Sequence, residues 1–180
     1  MEKIVFRLLL AFIVVTACAC SVSTPTEHYR PNVPKSEFIH QSVKQVTDVI
    51  VHDIFSPPVS SRIYVYMTVA GYEAAIHDNP SFVSLAGQVN GLEPGPKPEP
   101  SLEYCFPLAS VEAMLTVGKA LVFSEDKMEE FHAKIHQQFL DAGVPEDVYE
   151  RSTAFGQEVA KHIMAWSGKD NYKQSRSFPK

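Results

Sequence analysis

Apolar residues spaced three and four apart dominate the chain from Ser36 onward, and this helical period limits the fold more than any other feature. The first stripe consists of Ile39, Val43, Val46, Ile50 and Ile54. Such residues lie on one side of an α-helix. Strands would alternate apolar and polar residues, and no segment does so convincingly. The sequence therefore predicts an all-α fold, a helical-bundle portion of about five helices.

Prolines, glycines and serines predict where these helices begin and end. Ser36 is a candidate N-cap, Pro57 and Pro58 end the first helix, and the second begins at Pro58. One face of the second helix is predicted to consist of Ile63, Tyr66, Val69, Ala70 and Ala74. Three further helices are predicted over about 108–123, 125–142 and 145–167. Ser124 is the predicted N-cap of the 125–142 helix, and Gly143 its C-terminal stop.

A long connection, residues 79–107, separates the second and third helices. It is rich in proline and glycine, which disfavour regular structure: Pro80, Pro94, Pro96, Pro98, Pro100, Pro107, Gly87, Gly91 and Gly95. A connection of this length inside a domain is typically functional or packed along another part of the protein.

The N-terminus has the pattern of a bacterial lipoprotein signal. Lys3 and Arg7 precede a short apolar run, 8–15, that is too short for a permanent membrane span. The run ends in VTAC, which resembles a lipobox with Cys18 as the lipidated residue. We predict a signal peptide over 1–17, a proline-rich, extended tether over 18–35, and a lipid-anchored protein on the periplasmic side of the bacterial cell envelope. The alternatives are an ordinary secretory signal, or lipidation at Cys20.

Composition excludes several functional classes. The 180 residues are 45% hydrophobic, enough for a folded core, and the formal net charge of −5 gives no basic surface for a nucleic acid. The three cysteines form neither a zinc pattern nor a disulfide framework. Cys105 is predicted to be a small buried apolar residue.

The segment 51–78 contains an unusual number of polar residues that could form a functional site. They are His52, Asp53, Arg62, Glu73, His77 and Asp78. Glu73 and His77 share one helix face at i and i+4, a spacing that suits two metal ligands, and Arg62 could bind an anion. The alternative, which we favour, is a structural polar cluster in which Arg62 pairs with Glu73, Asp53 or Asp78.

A second group of metal-ligand types lies on the last two predicted helices. Glu129 and His132 form an E-x-x-H element, His136 follows one turn later, and Glu158 and His162 lie at i and i+4. Facing pairs of this kind bind di-iron in four-helix bundles. However, the two histidines flank the apolar stripe and Glu129 points away from it. We therefore predict a solvated or half-buried face and no metal.

The segment 51–78 resembles the N-terminal helical part of bacterial proteins related to the vanadium-dependent haloperoxidases, in the type 2 phosphatidic acid phosphatase superfamily. The shared elements are VHD (51–53), SPP (56–58), RIYVY (62–66) and AGYEA (70–74), and the resemblance covers about residues 40–170. It implies phosphomonoester hydrolysis or vanadate-dependent halide oxidation, with vanadate or phosphate bound, in the full-length family.

The catalytic motifs of that family are absent from this sequence. The family pocket uses K-x6-R-P, P-S-G-H and S-R-x5-H-x3-D, but the one Arg-Pro pair is Arg30-Pro31, without the lysine, and no Gly-His pair occurs. No catalytic residue and no cofactor can be assigned to this chain.

We therefore expect residues 36–180 to be the N-terminal helical part of a truncated haloperoxidase-like phosphatase, inactive without a C-terminal catalytic half. Helices that lack their covering half would expose an apolar face. Homo-oligomerisation is then an alternative to pairing with that half. The rival interpretations are a stand-alone helical lipoprotein that binds a partner, and a small metal-binding bundle.

Overall fold

The computed structural model describes residues 26–33 and 35–175, and over these residues the protein is all-α. The long helices are α1 (Lys35–His52), α2 (Pro57–Ala75), α3 (Phe106–Leu121), α4 (Glu125–Asp141) and α5 (Glu146–Lys169). Shorter elements are the 3-10 helices Thr26–Asn32 and Ile76–Asp78 and the one-turn helix α6 (Tyr172–Ser175). The predicted fold class is confirmed, and each predicted helix begins within two residues of its predicted position.

Helix α3 is the centre of the fold. It packs against each of the other four long helices, and most of its side chains are buried. Its apolar residues explain this position, because an element that is apolar on all sides must be covered on all sides. A single carboxylate, that of Glu112, enters the core with α3 and is only 1% exposed.

Helices α3 and α5 approach each other closely at Gly156. A Cβ atom at this position would lie 2.6 Å from the carbonyl oxygen of Ala109 and 2.8 Å from Cβ of Glu112. Both distances are below a van der Waals contact, so only glycine fits here without movement of the backbone. The close approach places α5 beside the buried Glu112.

Helices α1 and α4 end in the same type of turn, a Schellman motif. At the end of α4, Val144 N–H donates to Phe139 and Gly143 N–H donates to Leu140, and Gly143 has φ +86°. The predicted stop at Gly143 is thus confirmed.

At the end of α1 the same two hydrogen bonds run from Phe55 to Ile50 and from Ile54 to Val51. Here the left-handed position is occupied by Ile54, with φ 56°. The prediction that Ile54 continues the apolar stripe is wrong: the helix ends before it, and its side chain is 83% exposed.

The described part of the predicted tether is not extended. Residues Thr26–Asn32 form a 3-10 helix, and both Tyr29 and Val33 are only 4% exposed. The extended conformation predicted for this stretch is wrong because burying two apolar side chains outweighs the local preference of its proline. The predicted signal peptide 1–17, with Cys18, lies outside the described residues. Within them, no helix is both long and apolar enough to cross a membrane.

The long connection after α2 packs along the outside of the bundle, as predicted. Its carbonyl groups accept hydrogen bonds from α5: Trp166 Nε1–H donates to Asn90 O at 3.0 Å, and His162 Nε2 lies 2.9 Å from Glu93 O. These contacts satisfy part of the loop backbone.

Candidate functional site

The polar residues of segment 51–78 do not form one site, and Arg62 has none of its predicted partners. Its guanidinium contacts the carboxylate of Asp170 at 2.6 Å and the hydroxyl of Tyr66 at 3.1 Å, and it donates to the Asp170 carbonyl. The prediction that Arg62 pairs with Glu73, Asp53 or Asp78 is therefore wrong. The Arg62 and Asp170 side chains are 30% and 47% exposed, so the ion pair is not buried.

Asp53 fixes the start of α4. Its carboxylate accepts hydrogen bonds from the backbone N–H groups of Phe123 and Ser124, at 2.8 and 3.0 Å, and from the Ser124 hydroxyl at 2.5 Å. Burial opposes ionisation, but these hydrogen bonds outweigh it and lower the pKa of Asp53. Ser124 stands at the predicted N-cap, but its hydroxyl binds Asp53 and does not cap the helix. His52, the last residue of α1, is exposed.

Glu73 and His77 have separate structural contacts. The Glu73 carboxylate accepts hydrogen bonds from the Ser84 hydroxyl and the Leu85 N–H, both at 2.7 Å, and so holds the long connection against α2. The His77 ring packs edge-on against Phe155, with centroids 5.7 Å apart, and burial lowers its pKa. Asp78 is exposed. The described contacts of Asp53, Arg62, Glu73 and His77 are thus with separate parts of the protein, and they do not bring these residues together.

The strongest candidate site lies elsewhere, between α3 and α4. Nε2 of His132 lies 2.6 Å from Glu112 Oε2, and Nε2 of His136 lies 2.8 Å from the same oxygen. The imidazole rings are 4.1 Å apart between centroids. One nitrogen from each histidine and one carboxylate oxygen all lie within 4.8 Å of one another. We call these three residues the Glu112 cluster.

Further contacts hold the Glu112 cluster in position. The other carboxylate oxygen of Glu112 accepts hydrogen bonds from Gln157 Nε2 at 2.9 Å and Thr116 Oγ1 at 3.3 Å. Nδ1 of His136 lies 2.6 Å from the Tyr149 hydroxyl. Burial alone would raise the pKa of Glu112, but the imidazoles of His132 and His136 and the amide of Gln157 lower it well below its usual range.

Sequence reasoning found two of the three residues of this cluster. It singled out His132 and His136 but grouped them with Glu129, which is exposed and bound to Lys119. The residue that was missed is Glu112. It is a lone carboxylate in an otherwise apolar helix, and a carboxylate in such a position needs a buried partner, which is a signal that the sequence does contain. The second predicted pair is not part of the cluster, since Glu158 is exposed and His162 binds the backbone of the long connection.

Comparison with solved structures finds a bacterial vanadium-dependent iodoperoxidase, described as the first of its kind. The TM-score is 0.73 and the sequence identity is 42%, and the match covers 80% of this chain and 35% of the iodoperoxidase chain. The protein thus spans about a third of the length of that relative. No family model matches the sequence, and no curated protein matches it.

Proposed function

We propose that this chain, which is related to the vanadium-dependent haloperoxidases, is the N-terminal helical scaffold of a haloperoxidase-like phosphatase. One observation carries the proposal: 42% identity over 80% of this chain corresponds to only 35% of the solved iodoperoxidase. The scaffold would form one side of an enzyme whose oxyanion-binding residues come from a separate, C-terminal half. By this relationship the complete enzyme would hydrolyse a phosphomonoester or oxidise halide with bound vanadate.

The described contacts of segment 51–78 do not bring cations together, as a vanadate or phosphate site would require. An oxyanion with charge on several oxygens needs converging cations or N–H donors. Arg62, the arginine of the family-like segment, binds Asp170 and Tyr66. The carboxylates of Asp53 and Glu73 in the same segment accept hydrogen bonds from other parts of the protein. A carboxylate beside the anion would repel it, so we derive no catalytic step from these side chains.

Exposed apolar side chains support a covering partner. Among the described residues, the large apolar side chains that are more than half exposed are those of Val51, Ile54, Phe82, Val83 and Phe123. Scattered exposure of this kind is common, but Ile54 also adopts a backbone conformation that Ile disfavours. A C-terminal catalytic half is the covering partner we propose. Association of two copies of this chain is the alternative.

The direct test of the scaffold is the coding sequence that follows Lys180. A continuing frame with P-S-G-H and H-x-x-x-D motifs supports the proposal, whereas a genuine stop codon with no such motif nearby contradicts it.

Activity assays give the second test. The purified 180-residue chain is expected to hydrolyse no phosphomonoester and to oxidise no iodide or bromide, with or without vanadate. Turnover that Arg62→Ala removes, at an unchanged melting temperature, would show that segment 51–78 is an active site after all.

We further propose that the chain is anchored by lipid at Cys18 on the periplasmic side of the cell envelope. The support is the apolar run followed by Val15-Thr16-Ala17-Cys18. In a diderm bacterium the protein should incorporate labelled fatty acid and sediment with membranes, and Cys18→Ser should remove the label. Label that persists in Cys18→Ser would exclude this residue and direct attention to Cys20.

A further inference from the structure

We propose that Glu112, His132 and His136 bind one divalent transition-metal ion, with Zn²⁺ as the reference ion. The site is independent of the scaffold role: a metal here would join α3 to α4 whether or not a catalytic half is present. It also departs from the expectation, drawn from the sequence, that these histidines form a solvated face without metal.

The geometry brings three suitable donor atoms to one point. His132 and His136 lie one turn apart on α4, so both imidazoles leave the same face of the helix. Glu112 meets them from the facing helix α3, with N···O distances of 2.6 and 2.8 Å. Ligands of a tetrahedral zinc ion lie about 3.3 Å apart, given bonds of about 2.0–2.1 Å. Each imidazole nitrogen therefore needs to move away from the Glu112 oxygen by about 0.5–0.7 Å, which small side-chain rotations can supply.

The buried Nε2 of His136 has an ion-pair contact but no well-directed hydrogen bond, which adds to the geometric argument. The His136 side chain is only 10% exposed. Its Nε2 lies close to Glu112 Oε2 but not in a direction that makes a hydrogen bond, and no other partner is present among the described residues. Buried polar atoms are satisfied in the great majority of native structures. A metal ion bound through the Nε2 lone pair would satisfy this atom.

The surrounding hydrogen bonds are those that metal ligands require. A ligating histidine normally donates its other ring N–H to an oxygen, which fixes the tautomer and orients the ring. Nδ1 of His136 can donate in this way to the Tyr149 hydroxyl at 2.6 Å. Glu112 Oε1 is held by Gln157 and Thr116, which leaves Oε2 for the ion.

The donor set and the access route determine the class of metal. Two imidazoles and one carboxylate are the ligands of many zinc sites with an open fourth position, whereas Mg²⁺ and Ca²⁺ prefer oxygen ligands. His132 is 33% exposed and lines an open groove of ≈ 520 Å³ between α3 and α4. Through this groove an ion can enter and a water molecule can complete the coordination.

Without a metal, the same three residues would be a carboxylate–imidazole network that holds α3 to α4. The metal site and the metal-free network differ in whether the Glu112 cluster binds an ion, so the test measures metal binding directly. The full chain is purified in detergent, stripped with EDTA and titrated with Zn²⁺ by calorimetry. Co²⁺ is used as a spectroscopic substitute. Every sample carries Cys18→Ser and Cys20→Ser, because free thiols would compete for zinc.

One saturable Zn²⁺ site per chain is expected, with Co²⁺ bands of the intensity that four-coordinate nitrogen and oxygen ligation gives. His132→Gln and Glu112→Gln should each abolish saturable binding. Tyr149→Phe should weaken it by about 10–100-fold, the usual effect of losing a group that orients a ligand. The matched controls are His40→Gln, an exposed histidine on α1, and Glu129→Gln, an exposed glutamate in the same groove. Both should bind as the parent does.

Absence of saturable binding by the parent chain would overturn the proposal and leave the carboxylate–imidazole network. Binding that survives His132→Gln would also overturn it, as adventitious binding at other histidines. If Glu112→Gln fails to fold, His132→Gln decides alone, because the amide of the replacement can still donate a hydrogen bond to the buried Glu112 carboxylate. Circular dichroism of each variant verifies that it is folded.

Discussion

Replacing Ile54 with glycine is expected to stabilise the protein. Ile54 occupies the left-handed position of the Schellman motif that ends α1, at φ 56°, whereas Gly143 occupies the equivalent position after α4, at φ +86°. The same chain thus contains the motif with its preferred residue and with a strongly disfavoured one. The Ile54→Gly substitution removes the steric conflict between Cβ and the backbone that the left-handed conformation creates.

The size of the gain follows from two opposing effects. The left-handed conformation costs a residue with a Cβ atom about 1–2 kcal/mol. Glycine also makes the unfolded chain more flexible, which lowers the free energy of the unfolded state by about 0.4–1 kcal/mol and so offsets part of the gain. The Ile54 side chain is 83% exposed, so its removal forfeits little buried area. The net expectation is an increase of about 0.5–1 kcal/mol in the free energy of unfolding.

Two control substitutions separate the backbone effect from side-chain packing. Ile54→Ala keeps the Cβ and its steric conflict, so the free energy of unfolding should change by less than about 0.5 kcal/mol. Gly143→Ala adds a Cβ that would contact nothing within 4 Å, so only the backbone conformation is affected. It should lower the free energy of unfolding by about 1 kcal/mol.

The assay is urea denaturation of the four proteins, with the midpoint and slope fitted for each. A loss of stability in Ile54→Gly would refute the reasoning. A loss above about 1 kcal/mol in Ile54→Ala would mean that the Ile54 side chain is buried in solution. If that loss depended on protein concentration, a second copy would be what covers it.

Three further substitutions test contacts that position the helices. Gly156→Ala should lower the free energy of unfolding by about 1–3 kcal/mol, measured by urea denaturation, because the new methyl group collides with the backbone of α3. Asp53→Ala should cost about 2 kcal/mol at neutral pH, since it removes an ionised acceptor from three hydrogen bonds at the start of α4. Folding lowers the pKa of Asp53, so its contribution to stability is complete above the unfolded pKa of about 4 and is lost as the pH falls. The free energies of unfolding of the parent and of Asp53→Ala should therefore converge in acid. A difference that stays constant with pH would contradict this. Arg62→Ala should cost only about 1 kcal/mol, since the ion pair with Asp170 is partly exposed, and a loss of 3–5 kcal/mol in thermal or urea unfolding would imply a buried pair instead.

The sequence alone determined the five long helices and their order. Spacings of three and four residues, the prolines at 57 and 58 and the glycine at 143 act through neighbours along the chain, so their effects can be read locally. The same local information carried the resemblance to the haloperoxidases, because segment 51–78 is continuous. Local reasoning failed at Ile54, where the end of the helix took precedence over the apolar period.

Only the tertiary structure decided which charged groups meet. Arg62 pairs with Asp170, 108 residues away, although its predicted partners Asp53, Glu73 and Asp78 lie much nearer in sequence. Glu112 meets His132 and His136 because α3 is covered by α4 on the side that bears this carboxylate. The physical reason is that a side chain's partner depends on how whole helices pack. That packing is set by the close approach at Gly156 and by the shape of the core, and no periodicity within one helix contains this information.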